Sequence, residues 1–213
     1  MNVDGLDMVD FPANTLLTVD EYLAFERASE ERHEYLDGQV SPMASVTYRH
    51  STITVHLIVE LGQQLKRKSG EVFSPNMKVR SGRFVSGNQV MSGIFSYPDL
   101  IVVWDPPEFH DYHQDILLNP KVIFEVLSPG TETFDRTEKF DRHRENLYSL
   151  TDYILIAQDQ PLVEHRRRQA NGEWATTLVP GIESVLELPS IECRLQLSEL
   201  YDRVEFLVEG QAH

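Results

Sequence analysis

The stretch Lys121-Val-Ile-Phe-Glu-Val-Leu127 constrains the fold more than any other, because it reads as a buried apolar strand with a carboxylate in its middle. Burying a carboxylate is costly unless the group is paired, protonated or bound to a cation, so Glu125 requires a partner. A second acid, Asp99, follows Tyr97-Pro98 and introduces another apolar run, Leu100-Ile-Val-Val-Trp104. The two acids point to a divalent metal held jointly by Asp99 and Glu125, with Lys139 nearby as the cation of the site.

The segment after the Glu125 strand sets the architecture. Ser128-Pro-Gly-Thr-Glu-Thr133 breaks the chain, a helix is expected over 134–149, and Tyr153-Ile-Leu-Ile-Ala157 reads as the next strand. A strand, helix and strand of this length form a right-handed crossover between parallel strands. Helices alternating with strands along the chain indicate a mixed sheet flanked by helices, α/β or α+β, with Asp99 and Glu125 on neighbouring strands.

Upstream, Thr18-Val-Asp-Glu21 has capping-box spacing and opens an expected helix over 18–29. Glu34-Tyr-Leu-Asp-Gly-Gln-Val40 reads as a hairpin turning at Asp37-Gly38. Ile53, Leu57, Ile58, Leu61 and Leu65 recur at helical spacing over 48–68, with Lys66, Arg67 and Lys68 expected in the last turn. His50 shares the buried face of that helix near its start. Strands are expected at 71–80, 99–104, 162–166 and 174–178, a loop or ragged hairpin at 81–96, a loop at 105–120 and a short helix at 197–201.

The chain of 213 residues suffices for one well-buried core, so residues 18–205 are expected to form a single domain behind a loose N-terminal arm, 1–17. No apolar run approaches the roughly 20 residues that span a bilayer, and the acidic N-terminus lacks a signal-peptide layout. Together with the lone Cys193, this leads to the expectation of a cytoplasmic protein without membrane contact. A formal charge of −15 argues against a simple nucleic-acid binder, since neutralising phosphates requires clustered Lys and Arg. Basic residues do cluster locally, at Lys66-Arg67-Lys68, at Arg136/Lys139/Arg142/Arg144 and at Arg166-Arg167-Arg168.

Two converging carboxylates are the minimum for Mg²⁺, which prefers oxygen ligands and keeps several waters. A metal-bound water attacks a phosphodiester while a neighbouring ammonium stabilises the developing charge. Tyr97-Pro-Asp-Leu-Ile-Val-Val103, Val122-Ile-Phe-Glu-Val-Leu-Ser-Pro-Gly-Thr131 and Asp135-Arg-Thr-Glu-Lys139, with Glu34-Tyr-Leu-Asp-Gly-Gln and His50, resemble the Uma2 family of restriction-endonuclease-like proteins over residues 18–168. The resemblance implies the PD-(D/E)XK nuclease fold. It also implies that Asp99 and Glu125 ligate Mg²⁺ or Mn²⁺, that the backbone carbonyl of Val126 contributes, and that Lys139 is the catalytic lysine. Glu34 would be an accessory acid for a second metal or a water, and His50 a hydrogen-bond partner of the site or a phosphate contact. The parent nuclease pattern puts the lysine two positions after the second acid, where this chain has Leu127, so Lys139 takes that role from the next helix. His143 stands where the family often has tyrosine.

Other readings stay open from the residues alone. Asp99 after a proline also suits a turn, Glu125 a buried ion pair, Asp135 and Lys139 an exposed helical ion pair, and His50 a core histidine. His110, Asp111, His113 and Asp115 form a further metal-capable group, at no standard spacing. The functional expectation is a metal-dependent endonuclease hydrolysing DNA, working as a homodimer so that one site faces each strand. An inactive nuclease-fold binding module and a metal-dependent phosphohydrolase of small nucleotides are the alternatives.

Overall fold

The computed structural model describes residues 15–82 and 93–206. Residues 1–14 of the expected arm and the centre of the expected loop 81–96 lie outside them. Residue 17, expected in the arm, belongs to the folded part. Leu17 is buried and its N–H donates to the Gly38 carbonyl at 2.8 Å.

Helix α1 (Val19–Ala28) starts with the full capping box: the Thr18 hydroxyl accepts from Glu21 N at 3.3 Å, and Glu21 Oε2 accepts from Thr18 N at 2.8 Å. Such a cap contributes about 1 kcal/mol. Strands β1 (His33–Leu36) and β2 (Gln39–Pro42) turn at Asp37-Gly38, whose φ values of 49° and 96° match the twist a tight hairpin demands. Helix α2 (Tyr48–Leu65) ends before Lys66, so the three basic residues do not occupy its last turn as expected. Arg67 has φ 77°, and Gly70 passes where a Cβ would meet Leu65 Cδ2 at 2.9 Å. The chain turns away from the helix there, and Lys68 Nζ donates to the Glu192 carbonyl at 2.6 Å.

The expected strand 71–80 is two, β3 (Glu71–Phe73) and β4 (Lys78–Gly82), which join different sheets. Strands β5 (Gly93–Ser96), β6 (Leu100–Val103), β7 (Ile116–Leu117) and β8 (Val122–Val126) follow. Of these, β7 lies in what the sequence reads as loop, and β4 with β5 makes 81–96 a hairpin at its described ends. The expected helix 134–149 divides into α3 (Glu132–Arg136) and α4 (Glu138–Asn146), because Thr137 leaves helical geometry at φ −119°, ψ −94°. Strands β9 (Asp152–Ile156), β10 (Leu162–Arg168) and β11 (Trp174–Pro180) complete the expected set. An additional hairpin, β12 (Val185–Leu188) with β13 (Cys193–Gln196), precedes α5 (Leu197–Leu200).

Among the described residues the strands form a five-stranded sheet, β2-β1-β5-β4-β7, a six-stranded sheet, β11-β10-β9-β8-β6-β3, and the β12-β13 pair. Both larger sheets are mixed. β8 runs parallel to β9 through the α3–α4 crossover and antiparallel to β6. The helices flank these sheets, and the expected α/β mixed architecture is the one observed.

Alternation along the six-stranded sheet sorts its side chains into two layers. Leu100, Val102, Val122, Phe124, Val126, Ile154 and Ile156 pack with Ile53, Leu57 and Leu61 of α2. Ile101, Val103, Ile123, Leu127, Tyr153 and Leu155 pack with Phe140 of α4. Glu125, between Phe124 and Val126, belongs to the α4 side by that period. The fold thus aims its buried carboxylate at the helix that carries Lys139.

Candidate active site

Register brings the two acids together. Leu100 pairs with Phe124 and Ile101 with Ile123 in the antiparallel β6–β8 ladder, so one step further sets Asp99 opposite Glu125. Asp99 Oδ2 accepts from the Val126 N–H at 2.7 Å and lies 3.2 Å from His50 Nε2. Asp99 therefore does more than begin a turn: it ties β6 to β8 and to the first turn of α2. His50 is 8% exposed, and the Thr47 hydroxyl caps its N–H at 3.2 Å. The same hydroxyl meets Gln158 Oε1 at 2.5 Å, while Gln158 Nε2 donates to the Leu127 carbonyl at 2.9 Å. Gln158 thereby couples the start of α2 to the end of β8, a link with no sequence signal beyond its place after a strand.

Glu125 is 3% exposed and Lys139 4%. Lys139 Nζ is 2.9 Å from Glu125 Oε1, 3.3 Å from Asp135 Oδ1 and 3.4 Å from Glu34 Oε1. The Lys139 ammonium is the cationic partner of Glu125 Oε1. Glu34 projects from β1, and its Oε1 also accepts from the Tyr97 N–H at 3.2 Å. Asp99, Glu125, Lys139, Glu34 and His50 thus form one connected cluster, with Val126 contributing its N–H to it. Asp135 completes it, its Oδ1 accepting from Lys139 Nζ at 3.3 Å, and the alternative of an exposed helical ion pair does not hold. Asp135 is 4% exposed, because the break at Thr137 and the Tyr153 hydroxyl, which donates to the Asp135 carbonyl at 3.0 Å, turn α3 inward.

Leu127 explains the displaced lysine. It shares the face of Glu125, two positions on, and packs in the layer with Phe140 and Tyr153. An apolar residue fills the place next to the acid on the strand, and α4 delivers the ammonium from above. Burial pushes the pKa of the Glu125 carboxyl up and the charges of Asp135 and Asp99 reinforce this, while the Lys139 ammonium at 2.9 Å opposes it and pairs with the carboxylate form. For Lys139, burial works against the charge, but Glu125, Glu34 and Asp135 outweigh it and keep the ammonium protonated.

His143 is fully buried and meets the hydroxyls of Ser81 and Ser96 at 3.0 and 3.2 Å, so it packs α4 onto β4 and β5. Burial, and then Lys139, lower its pKa to about 3. The group at 110–115 does not converge on a metal. Arg27 binds Asp111 and Asp115 at 2.8 Å each, Lys78 Nζ lies 3.1 Å from Asp115, and His110 faces Arg80.

Among the described residues, no three His, Cys, Asp or Glu side chains are already arranged as a metal-ligand set. The donor chemistry nevertheless fits a hard cation. Four carboxylates, Glu34, Asp99, Glu125 and Asp135, face one ammonium and one imidazole. Mg²⁺ needs few protein ligands and prefers oxygen.

The model of the Uma2 family, described as "putative restriction endonuclease", matches residues 19–199, and the chain belongs to that family. Two uncharacterized proteins of Synechocystis sp. are similar to it. One, sll1609, is 30% identical over 81% of this chain and 92% of its own length; the other, slr1290, is 28% identical over 89% and 94%. A solved chain from Anabaena variabilis, titled a putative nuclease belonging to DUF820, superimposes with a TM-score of 0.69 at 19% identity, covering 89% of this chain and 99% of that one. The fold is the restriction-endonuclease-like one expected from the motifs. No helix among the described residues is long and apolar enough to cross a membrane.

Proposed function

We propose that this protein is a metal-dependent endonuclease that hydrolyses DNA phosphodiester bonds, with Asp99, Glu125 and the Val126 carbonyl holding Mg²⁺ or Mn²⁺. The observation that carries the reading is Glu125, a strand carboxylate only 3% exposed, 2.9 Å from the Lys139 ammonium and next in the chain to the Val126 N–H that donates to Asp99. When bound, the cation would supply Lewis acidity and an acidified water. Lys139 offers positive charge beside the reacting phosphate, where negative charge develops. His50 and the Val126 N–H fix the orientation of Asp99, as second partners of a ligating carboxylate commonly do. Glu34 orders a water or a second ion at the outer edge. DNA is the partner in this reading, with a homodimer presenting one site to each strand and a cytoplasmic location. The acidic charge of −15 restricts DNA approach to a focused local region.

The test is nicking of supercoiled plasmid with Mg²⁺ or Mn²⁺. Asp99→Ala and Glu125→Ala are each expected to lower the rate at least about a hundredfold. Undiminished cleavage in both variants sinks the assignment. A nuclease-fold module without turnover is the second reading, favoured by the engagement of Lys139 with three carboxylates. Mn²⁺ binding that depends on Glu125, together with no cleavage of DNA or of a nucleotide panel, selects it.

A further inference from the structure

One ammonium with three carboxylates around it is over-compensated, and the surplus has a direction. Lys139 Nζ is closest to Glu125, at 2.9 Å, but Asp135 and Glu34 stand at 3.3 and 3.4 Å on the other elements that meet it. If the pair with Glu125 were the purpose of Lys139, a second buried acid would be a net cost, since each buried carboxylate loses hydration. Asp135 is 4% exposed and cannot recover that loss from water. It is also rigidly placed. Its N–H donates to the Thr131 carbonyl at 2.9 Å, and its own carbonyl accepts from the Tyr153 hydroxyl at 3.0 Å.

We propose that Asp135 is the positioning residue for Lys139: a second berth that keeps the ammonium in the cleft when Glu125 turns from Lys139 to a divalent cation. The inference rests on the metal reading given above. Glu125 serves one positive partner at a time at full strength. Without Asp135, the ammonium either stays on Glu125 and competes with the metal, or leaves the cleft and is lost to the reacting phosphate. With Asp135, whose Oδ1 already accepts from Nζ at 3.3 Å, the ammonium lets go of Glu125 and remains beside the site. Glu34, on β1 and more exposed, is the weaker anchor of the two.

Titration of the full-length chain with Mn²⁺ by calorimetry tests this. Lys139→Met removes the competitor and is expected to tighten Mn²⁺ binding at least about tenfold. Asp135→Asn holds Lys139 on Glu125 and is expected to weaken binding about tenfold, but by no more than about threefold in the Lys139→Met background, because the two residues act as a coupled pair. An equal loss in both backgrounds overturns the proposal, since Asp135 would then act independently of Lys139. So does weaker binding by Lys139→Met. A wild-type crystal soaked in Mn²⁺ needs no variant: Nζ is expected within hydrogen-bond distance of Asp135 and away from Glu125, and an Nζ still against Glu125 or out in solvent overturns it. Absence of any Mn²⁺ binding by the wild type overturns the metal reading and this inference together. Binding with the wrong order of variants overturns the inference alone.

Discussion

Two acidic clusters lie in this molecule, and their charge balance separates them. At Asp111 and Asp115 the cations match the acids: Arg27 reaches both, and Lys78 adds a contact to Asp115. Burial alone would raise the Asp115 carboxyl, but hydrogen bonds from Arg27 and Lys78 and their charges win, and its pKa falls to about 2. At Glu125 the balance is reversed, with Glu34, Glu125 and Asp135 around the one ammonium of Lys139, and the carboxyl is pushed up by burial. The sequence offers both groups as metal-capable. What distinguishes the two networks is how far the acids are matched by cations.

That contrast is sharpest in the neutral amides. Asp115→Asn takes from Lys78 its anion, and Lys78 is only 5% exposed, so unfolding is expected to become easier by about 1–3 kcal/mol. Glu125→Gln removes a carboxylate that burial already disfavours, and Glu34 and Asp135 still hold Lys139. Its stability is expected to stay within about 1 kcal/mol of the wild type. Denaturant titration of both variants measures the difference. A destabilisation by Glu125→Gln equal to that of Asp115→Asn breaks the comparison.

The next effect is one of pH. His143 titrates at about 3 in the fold against 6.5 when free, so between those values the unfolded chain binds a proton that the native chain refuses. Stability from this group is fully present above pH 6.5 and lost as pH falls from 6.5 toward 3, at up to about 1.4 kcal/mol per pH unit. His143→Gln retains a hydrogen-bonding side chain for Ser81 and Ser96 without the titration. Its melting temperature is expected to fall less steeply with acid than that of the wild type; parallel curves would discount the histidine.

The smallest effect lies at the surface. Arg144 and Asp141 are 2.7 Å apart on α4, with side chains 40% and 52% exposed. Asp141→Ala is expected to change stability by less than about 0.5 kcal/mol. A larger loss, read in the same denaturant assay, would mean that distance rather than burial ranks the ion pairs of this protein.

Much of the site is legible in the sequence. The period of the apolar runs, the capping box at Thr18 and the hairpin at Asp37-Gly38 are local signals set by backbone sterics and burial, and they recur in the structure at nearly the same residues. The five candidate residues came from motif resemblance and from the cost of burying Glu125, and they meet in space. The alternative of an exposed Asp135–Lys139 pair stays open in the sequence because i,i+4 spacing looks the same whether a helix faces solvent or core. Only the break at Thr137 decides which, and no residue there announces it. The β12–β13 hairpin escaped notice for a similar reason: its strands have four residues each and alternate too briefly to stand out.

By itself, then, the sequence determined that a carboxylate would be buried in a strand and that it would need a positive partner. That follows from hydration, which is a property of the residue and its immediate neighbours. Which partner it received was settled by the tertiary structure. Leu127 packs two positions after Glu125 on the strand, α4 crosses over that face, and Asp135 and Glu34 arrive from two other elements to surround the ammonium. Partners separated along the chain become a single charge balance only when the sheets bring them within a few ångströms, where Coulomb energies are large enough to matter.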